Sequence, residues 1–214
     1  LRNIVLYSPS GDAVISSSNT HSAWYSIGGL VGLAANVGEG NRTIANCSVA
    51  GYTILDQNDN CEFGGGGVGG LVGICNMALQ NCTAVTDIQL NFTHSNAARN
   101  VQVGGIAGSC QQSIRNCYSG GSISLGGAFK YNTESNLHVG GITGGYFMKT
   151  LSFAGGKVPA IEAGLTNNQV PSEKITWFVN CYTYTEIDPE VIAKSSNYYA
   201  IGGLGEIKRY DGSS

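Results

Sequence analysis

The sequence predicts an all-β fold, a parallel β-helix (β-solenoid) of about five repeats with one long insertion, on three observations. The first is a recurring run. Ile27-Gly-Gly-Leu-Val-Gly32, Val68-Gly-Gly-Leu-Val-Gly73, Val103-Gly-Gly-Ile-Ala-Gly108 and Val139-Gly-Gly-Ile-Thr-Gly144 share the order β-branched residue, Gly-Gly, Leu or Ile, any residue, Gly. Ile201-Gly-Gly-Leu-Gly205 is a shortened fifth copy. The second is a recurring Asn-Cys with an apolar residue two before the Asn: Ile44, Leu79, Ile114 and Phe178 precede Cys47, Cys82, Cys117 and Cys181. Leu1-Arg-Asn-Ile4 opens the chain in the same pattern, with Ile in the Cys slot. The third is spacing. From that slot to the next Gly-Gly the separations are 24, 22, 22, 23 and 21 residues. A near-constant period marks a repeat architecture, and the whole of 1–214 reads as one domain.

In chain order, Leu1–Ser8 is an apolar-rich stretch that predicts a strand. Pro9-Ser-Gly-Asp12 is a turn, Ala13–Ser16 a second strand, and Trp24–Ile27 leads into the first Gly-Gly. Between the last Gly of that run and the next Asn-Cys lie 13 residues in the first repeat and seven in the second and third. After each Asn-Cys comes a strand, a turn and another strand, clearest in Cys117-Tyr-Ser-Gly-Gly-Ser-Ile-Ser124. Aligning these segments superposes Thr53, Ile88, Ile123 and Ile187. Residues 188–214 read as a partial repeat or cap. Within them Asp188-Pro-Glu-Val-Ile-Ala-Lys194 is a helical turn, with Asp as the cap and Pro at the first position.

A unit of this size cannot bury its apolar face alone. Stacking equivalent strands about 4.8 Å apart sets like residues on like residues and closes a continuous core. The Gly pairs fit corners where φ is positive or where close backbone approach excludes a side chain. A propeller is the competing architecture at this period, but loop lengths vary and a Trp-Asp signature is absent.

Composition narrows the classes of function. The chain carries net charge −3 with 12% charged residues, 32 Gly and 4 Pro. No basic stripe exists to displace counterions from phosphates, which argues against a nucleic-acid partner. No apolar run approaches the ~20 residues of a membrane span. The chain opens at Leu1 without a leader pattern and reads as a mature chain or an excised fragment.

The Val-Gly-Gly run, the Asn-Cys slot and the following Gly-Ser-Ile together resemble the GLUG repeat family. That family is named for a Gly-Leu-hydrophobic-Gly core, here Gly29-Leu-Val-Gly32 and Gly70-Leu-Val-Gly73. The likeness covers most of residues 1–205, is strongest in Asn116–Ser124 and weakest in 145–179. It implies a β-solenoid of secreted or cell-surface proteins, including some surface adhesins and regions accompanying bacterial immunoglobulin-A-specific peptidases. It supplies no catalytic residue to carry over.

The residues themselves point away from catalysis. No HExxH, GxSxG or phosphate-loop pattern occurs. His21, His94 and His138 are widely spaced and read as loop residues. A polysaccharide-cleaving β-helix needs convergent carboxylates, for which Asp56, Asp59, Glu62 and Asp87 are the available residues. Asp56-Gln-Asn-Asp-Asn60 fails the calcium-loop template, since Cys61 stands at the turn glycine and Gly67 at the bidentate Glu, so no metal or cofactor is expected. Cys47, Cys82, Cys117 and Cys181 read first as a buried ladder of small apolar residues. Cys75 and Cys110 each precede a ladder Cys by seven residues, so bridges Cys75–Cys82 and Cys110–Cys117 are expected, with Cys75–Cys110 as the competing pair. Cys61 is placed to reach Cys47, and Cys181 is left unpaired. Asn41, Asn46, Asn81 and Asn91 head glycosylation sequons, but Asn46 and Asn81 also fall in the repeating Asn slot, which a stacked ladder explains without glycans.

These readings lead to a non-catalytic extracellular module for cell-surface adhesion or surface structure, meeting another protein or a glycan surface. A filament subunit that associates head to tail and a carbohydrate-active enzyme are the alternatives. Residues 145–179 interrupt the repeat with Tyr146, Phe147, Met148, Leu151, Phe153 and Trp177 among lysines. Aromatics of this kind suit an interface, or a cap over an exposed side of the solenoid. Deleting Phe147–Thr176 across a short Gly-rich joint separates the two. Loss of the fold by circular dichroism marks a cap; an intact fold with lost adhesion or polymerisation marks an interface; unchanged binding refutes the interface.

Overall fold

The computed structural model describes residues 1–18, 25–35, 42–57, 64–91, 99–110, 112–126, 136–146, 150–153, 156–159 and 178–194. The chain is all-β, and its four larger sheets are parallel. The first sequence unit supplies β1 (Val5–Tyr7), β2 (Ala13–Ser17), β3 (Tyr25–Gly28) and β4 (Val31–Ala34). The second supplies β5 (Thr43–Ala45), β6 (Ser48–Asp56), β7 (Gly64–Gly69) and β8 (Val72–Cys75). The third supplies β9 (Ala78–Gln80), β10 (Thr83–Leu90), β11 (Arg99–Gly104) and β12 (Ala107–Cys110). The fourth supplies β13 (Ile114–Arg115), β14 (Tyr118–Gly120), β15 (Ser122–Leu125), β16 (Asn136–Gly140) and β17 (Thr143–Tyr146). An antiparallel pair follows, β18 (Thr150–Phe153) with β19 (Gly156–Pro159). The chain then rejoins the parallel sheets through β20 (Phe178–Val179), β21 (Tyr182–Thr183) and β22 (Glu186–Ile187), and ends in helix α1 (Pro189–Lys194).

Strands one unit apart lie side by side. Three sheets of four strands run β5-β9-β13-β20, β3-β7-β11-β16 and β4-β8-β12-β17, and the fourth, of eight strands, is built on β1-β6-β10-β14-β21. Gly28, Gly69, Gly104 and Gly140 are register partners in one sheet, as the spacing predicts. Gly202 lies outside the described residues.

Two corners explain the two motifs. Asn3, Asn46, Asn81, Asn116 and Asn180 all adopt left-handed backbone, φ 50–58°, and they are the only described non-glycine residues at positive φ. Asn tolerates that region better than other L-residues because its short amide satisfies itself locally. Here the amides satisfy one another. Each Nδ2 donates to the Oδ1 of the Asn one unit earlier: Asn46 to Asn3, Asn81 to Asn46 and Asn116 to Asn81 at 3.0 Å, and Asn180 to Asn116 at 3.1 Å. The Gly-Gly corner works by proximity, without positive φ. A Cβ on Gly69 would collide with the Val72 carbonyl oxygen and stand 2.6 Å from the Gly108 nitrogen.

The core fills with like-on-like rows. Ile44, Leu79 and Ile114 stack, as do Cys47, Cys82 and Cys117, and Leu71, Ile106 and Ile142, forming one buried cluster. Ile54, Ile88 and Ile123 face Val68, Val103 and Val139 in a second. Each fully buried aliphatic side chain contributes roughly 1.5–3 kcal/mol, so the middle units carry most of the stability. Ile54, not Thr53, joins Ile88. Gly51, at φ +75°, is an extra residue that shifts the β6–β10 register between Val85 and Thr86, a bulge that alignment by sequence does not reveal. His138 is also placed differently from its loop reading. It is buried in β16, in register with the buried Gln102.

Helix α1 starts as expected, with the Glu190 amide donating to Asp188 Oδ1 at 2.8 Å. It seals the second cluster with the buried Val191. Among the described residues no helix is long and apolar enough to cross a membrane.

The ladder gives a graded test at Asn81. Glycine accepts the backbone but loses both amide bonds, so Asn81→Gly is expected to cost about 1 kcal/mol. Asn81→Ala adds the left-handed penalty and is expected to cost about 1 kcal/mol more. Urea denaturation of the two variants checks the order; equal losses would remove the role assigned to backbone conformation.

Candidate functional site

Outward side chains of the eight-stranded sheet meet in one aromatic cluster. Along β21 and β22 the period of two turns Tyr182 and Tyr184 to solvent, at 58% and 72% exposure, and leaves Thr183 and Thr185 half-buried. Tyr182 is in register with Tyr118. The ring centroids lie 5.0 Å apart for Tyr118–Tyr182, 5.7 Å for Tyr118–Tyr184 and 6.1 Å for Tyr182–Tyr184. Two of the three contacts are edge-to-face, the arrangement that aligns positive ring edges with negative faces. Gly120 gives the Tyr118 ring its room, because a Cβ there would stand 2.9 Å from the Tyr118 hydroxyl.

A hydroxyl network holds this patch from beneath. Ser119 Oγ donates to the Gly141 carbonyl at 2.5 Å and lies 2.7 Å from Thr183 Oγ1. Thr185 Oγ1 donates to Ser119 Oγ at 3.1 Å, and the Thr185 amide donates to Thr183 Oγ1 at 3.0 Å. The last unit is thereby tied to the Gly-Gly corner of the fourth. Beside the tyrosines run Asp87, which accepts from Ser122 Oγ at 2.7 Å, and the exposed Glu186.

The carboxylates that a polysaccharide-cleaving site would need do not converge. Asp56 is fully buried and accepts from the Tyr25 hydroxyl at 2.7 Å. Asp87 is exposed, and its register partner on β6 is Thr53, while Asp56 pairs with Leu90. The two acids therefore sit on opposite faces of the sheet. Asp59 and Glu62 lie outside the described residues. Among the described residues no group of three or more His, Cys, Asp or Glu could hold a metal ion.

The bridges Cys75–Cys82 and Cys110–Cys117 are not formed: all six described cysteines are free. Offset along the chain does not set register across it. Cys75 is partnered by Cys110 on the neighbouring strand, and each thiol also lies within hydrogen-bond distance of a carbonyl two residues away. Cys75 reaches Met77 at 3.2 Å, Cys82 Gln80 at 3.2 Å, Cys110 Gln112 at 3.1 Å and Cys117 Arg115 at 3.2 Å. Cys47 is free as well, and Cys61 lies outside the described residues.

Of the sequon asparagines, Asn46 and Asn81 commit their amides to the ladder. Asn91 ends the β10 segment, its backbone amide donating to the Asp56 carbonyl at 2.8 Å, and Asn41 is outside the described residues. Of the insertion aromatics, Tyr146 ends β17, and Leu151 and Phe153 lie in β18; Phe147, Met148 and Trp177 fall outside the described residues. Tyr118 escaped the sequence reading. Its signal was the shared Asn-Cys-Tyr of Asn116–Tyr118 and Asn180–Tyr182.

Comparison of the chain with family models, with curated proteins and with solved structures finds no match.

At Cys181, the last described member of the cysteine row, a hydrogen bond from the Cys117 thiol holds the thiol down to about 6, against the opposing effect of burial. Donation to Cys181, then to Cys82, together with burial, pushes Cys117 up. One thiol proton serves one neighbour at a time, and Cys181, half-buried, is the one whose thiolate water can solvate. Cys181 is therefore expected to be alkylated first among the described cysteines at neutral pH, with a rate that falls as pH drops below about 6. Cys117→Ala should move that midpoint upward, toward an ordinary thiol. Peptide mapping of the native protein across pH checks both; equal labelling of Cys82 and Cys181 would contradict the assignment.

Proposed function

We propose that the chain is a parallel β-helix of about five repeats and works as a non-catalytic extracellular module for cell-surface adhesion or surface structure. One observation carries this reading: three mutually packed tyrosines, two exposed and Tyr118 half-buried beneath them, on a sheet whose strands are locked in register. Aromatic rings bury large area at low entropic cost, and rings already held against one another lose little freedom on binding. The hydroxyl network beneath keeps them in place. The partner is another protein or a glycan surface. Aromatic faces meet the apolar faces of sugars, and Asp87, Ser122 and Glu186 border the patch with polar groups. The extracellular placement rests on the likeness of the Val-Gly-Gly and Asn-Cys motifs to GLUG repeats. The separated positions of Asp56 and Asp87 support a role without catalysis.

The test is adhesion of the purified chain to intact cells and to immobilised glycans. Replacing Tyr182 and Tyr184 together by Ala is expected to weaken binding about tenfold or more. Both side chains are exposed, so the thermal midpoint should hold. Binding unchanged by the double substitution, or turnover of a polysaccharide by the native chain, would overturn the reading.

A further inference from the structure

The eight strands of the longest sheet carry two outward carboxylates, Asp87 and Glu186, and no Lys, Arg or His. Their other acid, Asp56, is buried against the Tyr25 hydroxyl and takes no part in the surface. Register brings the outward pair into one row. Ile88 pairs with Ile123, and Ser122 with Glu186, so Asp87, Ser122 and Glu186 line up across β10, β15 and β22. Neighbouring strands lie about 4.8 Å apart, which sets the two acids roughly 10 Å apart at the backbone with Ser122 between them. Asp87 engages one oxygen with the Ser122 hydroxyl, and both carboxylates are exposed. Two like charges on a sheet with no countercharge of its own favour a cation supplied from outside.

The aromatic cluster fills the two rows beside these acids. Tyr118 leans over Gly120, since a Cβ at that glycine would stand 2.9 Å from the Tyr118 hydroxyl and 3.5 Å from its Cζ. Gly120 lies in the row between Tyr118 and Ser122, so the ring reaches across that row toward the acids. Tyr184, two residues before Glu186, stands at 72° to the Tyr118 ring, with centroids 5.7 Å apart. Tyr118 is a floor, Tyr184 a wall, and the acidic row lies ahead of both. Ring faces are the negative part of the quadrupole and attract cations.

We propose that this patch docks an arginine-bearing segment of a partner protein, with a guanidinium on the Tyr118 ring against Tyr184 and its edge toward Asp87 and Glu186. The inference rests on the reading of the tyrosine patch as a docking surface and names the chemistry of its partner. A guanidinium is planar, so it stacks on a ring and still donates in its own plane to carboxylates. The compact ammonium of Lys cannot do both at once. A neutral glycan would cover the rings and leave the two charges uncompensated, and an anionic glycan would be repelled.

Fluorescence anisotropy of labelled hexa-arginine with the purified chain reads the outcome, with hexa-lysine and cellohexaose as competing probes. Hexa-arginine is expected to bind more tightly than hexa-lysine and to weaken as added salt screens the exposed charges. Asp87→Asn, which keeps the acceptor for Ser122, and Glu186→Gln should each raise its Kd about threefold, and together about tenfold. Asp12→Asn makes the same charge change just before β2 and should leave the Kd as it was. Tyr184→Leu keeps apolar area without a ring face and should abolish the preference for arginine over lysine. Failure of hexa-arginine to bind, equal affinity for hexa-lysine, indifference to both neutralising substitutions, or cellohexaose bound in its place overturns the proposal. In that event, adhesion to cells that still depends on Tyr182 and Tyr184 leaves the docking reading standing, whereas adhesion indifferent to those tyrosines removes both.

Discussion

The structure depends on one corner conformation. Five asparagines hold the chain in left-handed backbone at the entrance to the longest sheet, and their amides stack in a single column. A chain that turned there with any other geometry would deliver the next strand in another register. The cost of a slip is large, since moving a strand by one residue turns its buried row outward. The Cys row and the Ile54 row are each buried because the asparagine before them fixes which residues face in.

Both repeated motifs were legible in the sequence because each answers a steric exclusion. Asn recurs where φ is near +50°, and Gly recurs where a Cβ would meet backbone. Exclusions of that kind leave few alternatives, so the residue type marks the place. Contacts that rest on register were less legible. Cys75 and Cys82 are seven apart along the chain, yet Cys75 answers to Cys110, and nothing in the local sequence says so. The bulge at Gly51 defeated alignment of Thr53 with Ile88, because a glycine can be either a turn residue or an inserted one. Tyr25 and Asp56 meet over a separation of 31 residues, and only the run of glycines at 64–67 hinted that a ring lay above it. A Cβ on Gly66 would strike that ring.

The core changes character toward the end of the chain. The slot held by Val49 and Ala84 passes to Ser119 and then Thr183, and the slot held by Val31, Val72 and Ala107 passes to Thr143. Hydroxyls take over where apolar packing has fewer neighbours. Thr143 Oγ1 donates to the Gly145 carbonyl at 3.0 Å, and Ser119 joins three oxygens. Directional bonds add to burial in fixing this last described unit.

The four corners of each unit differ in how much chain they admit. Successive ladder asparagines are 43, 35, 35 and 64 residues apart. The excess enters mostly between the last Gly of the Gly-Gly run and the next asparagine, with smaller additions between β1 and β2 and before β16, never at the asparagine or glycine corners. The scaffold thus separates two kinds of heritable change. Length can drift at these places by any number of residues, because loop closure becomes only slowly more costly with size. The asparagine and glycine corners admit change only in whole units. A lineage carrying this chain can lengthen it by duplicating a unit of 35 residues, or diversify it by enlarging one loop, and neither event disturbs the other.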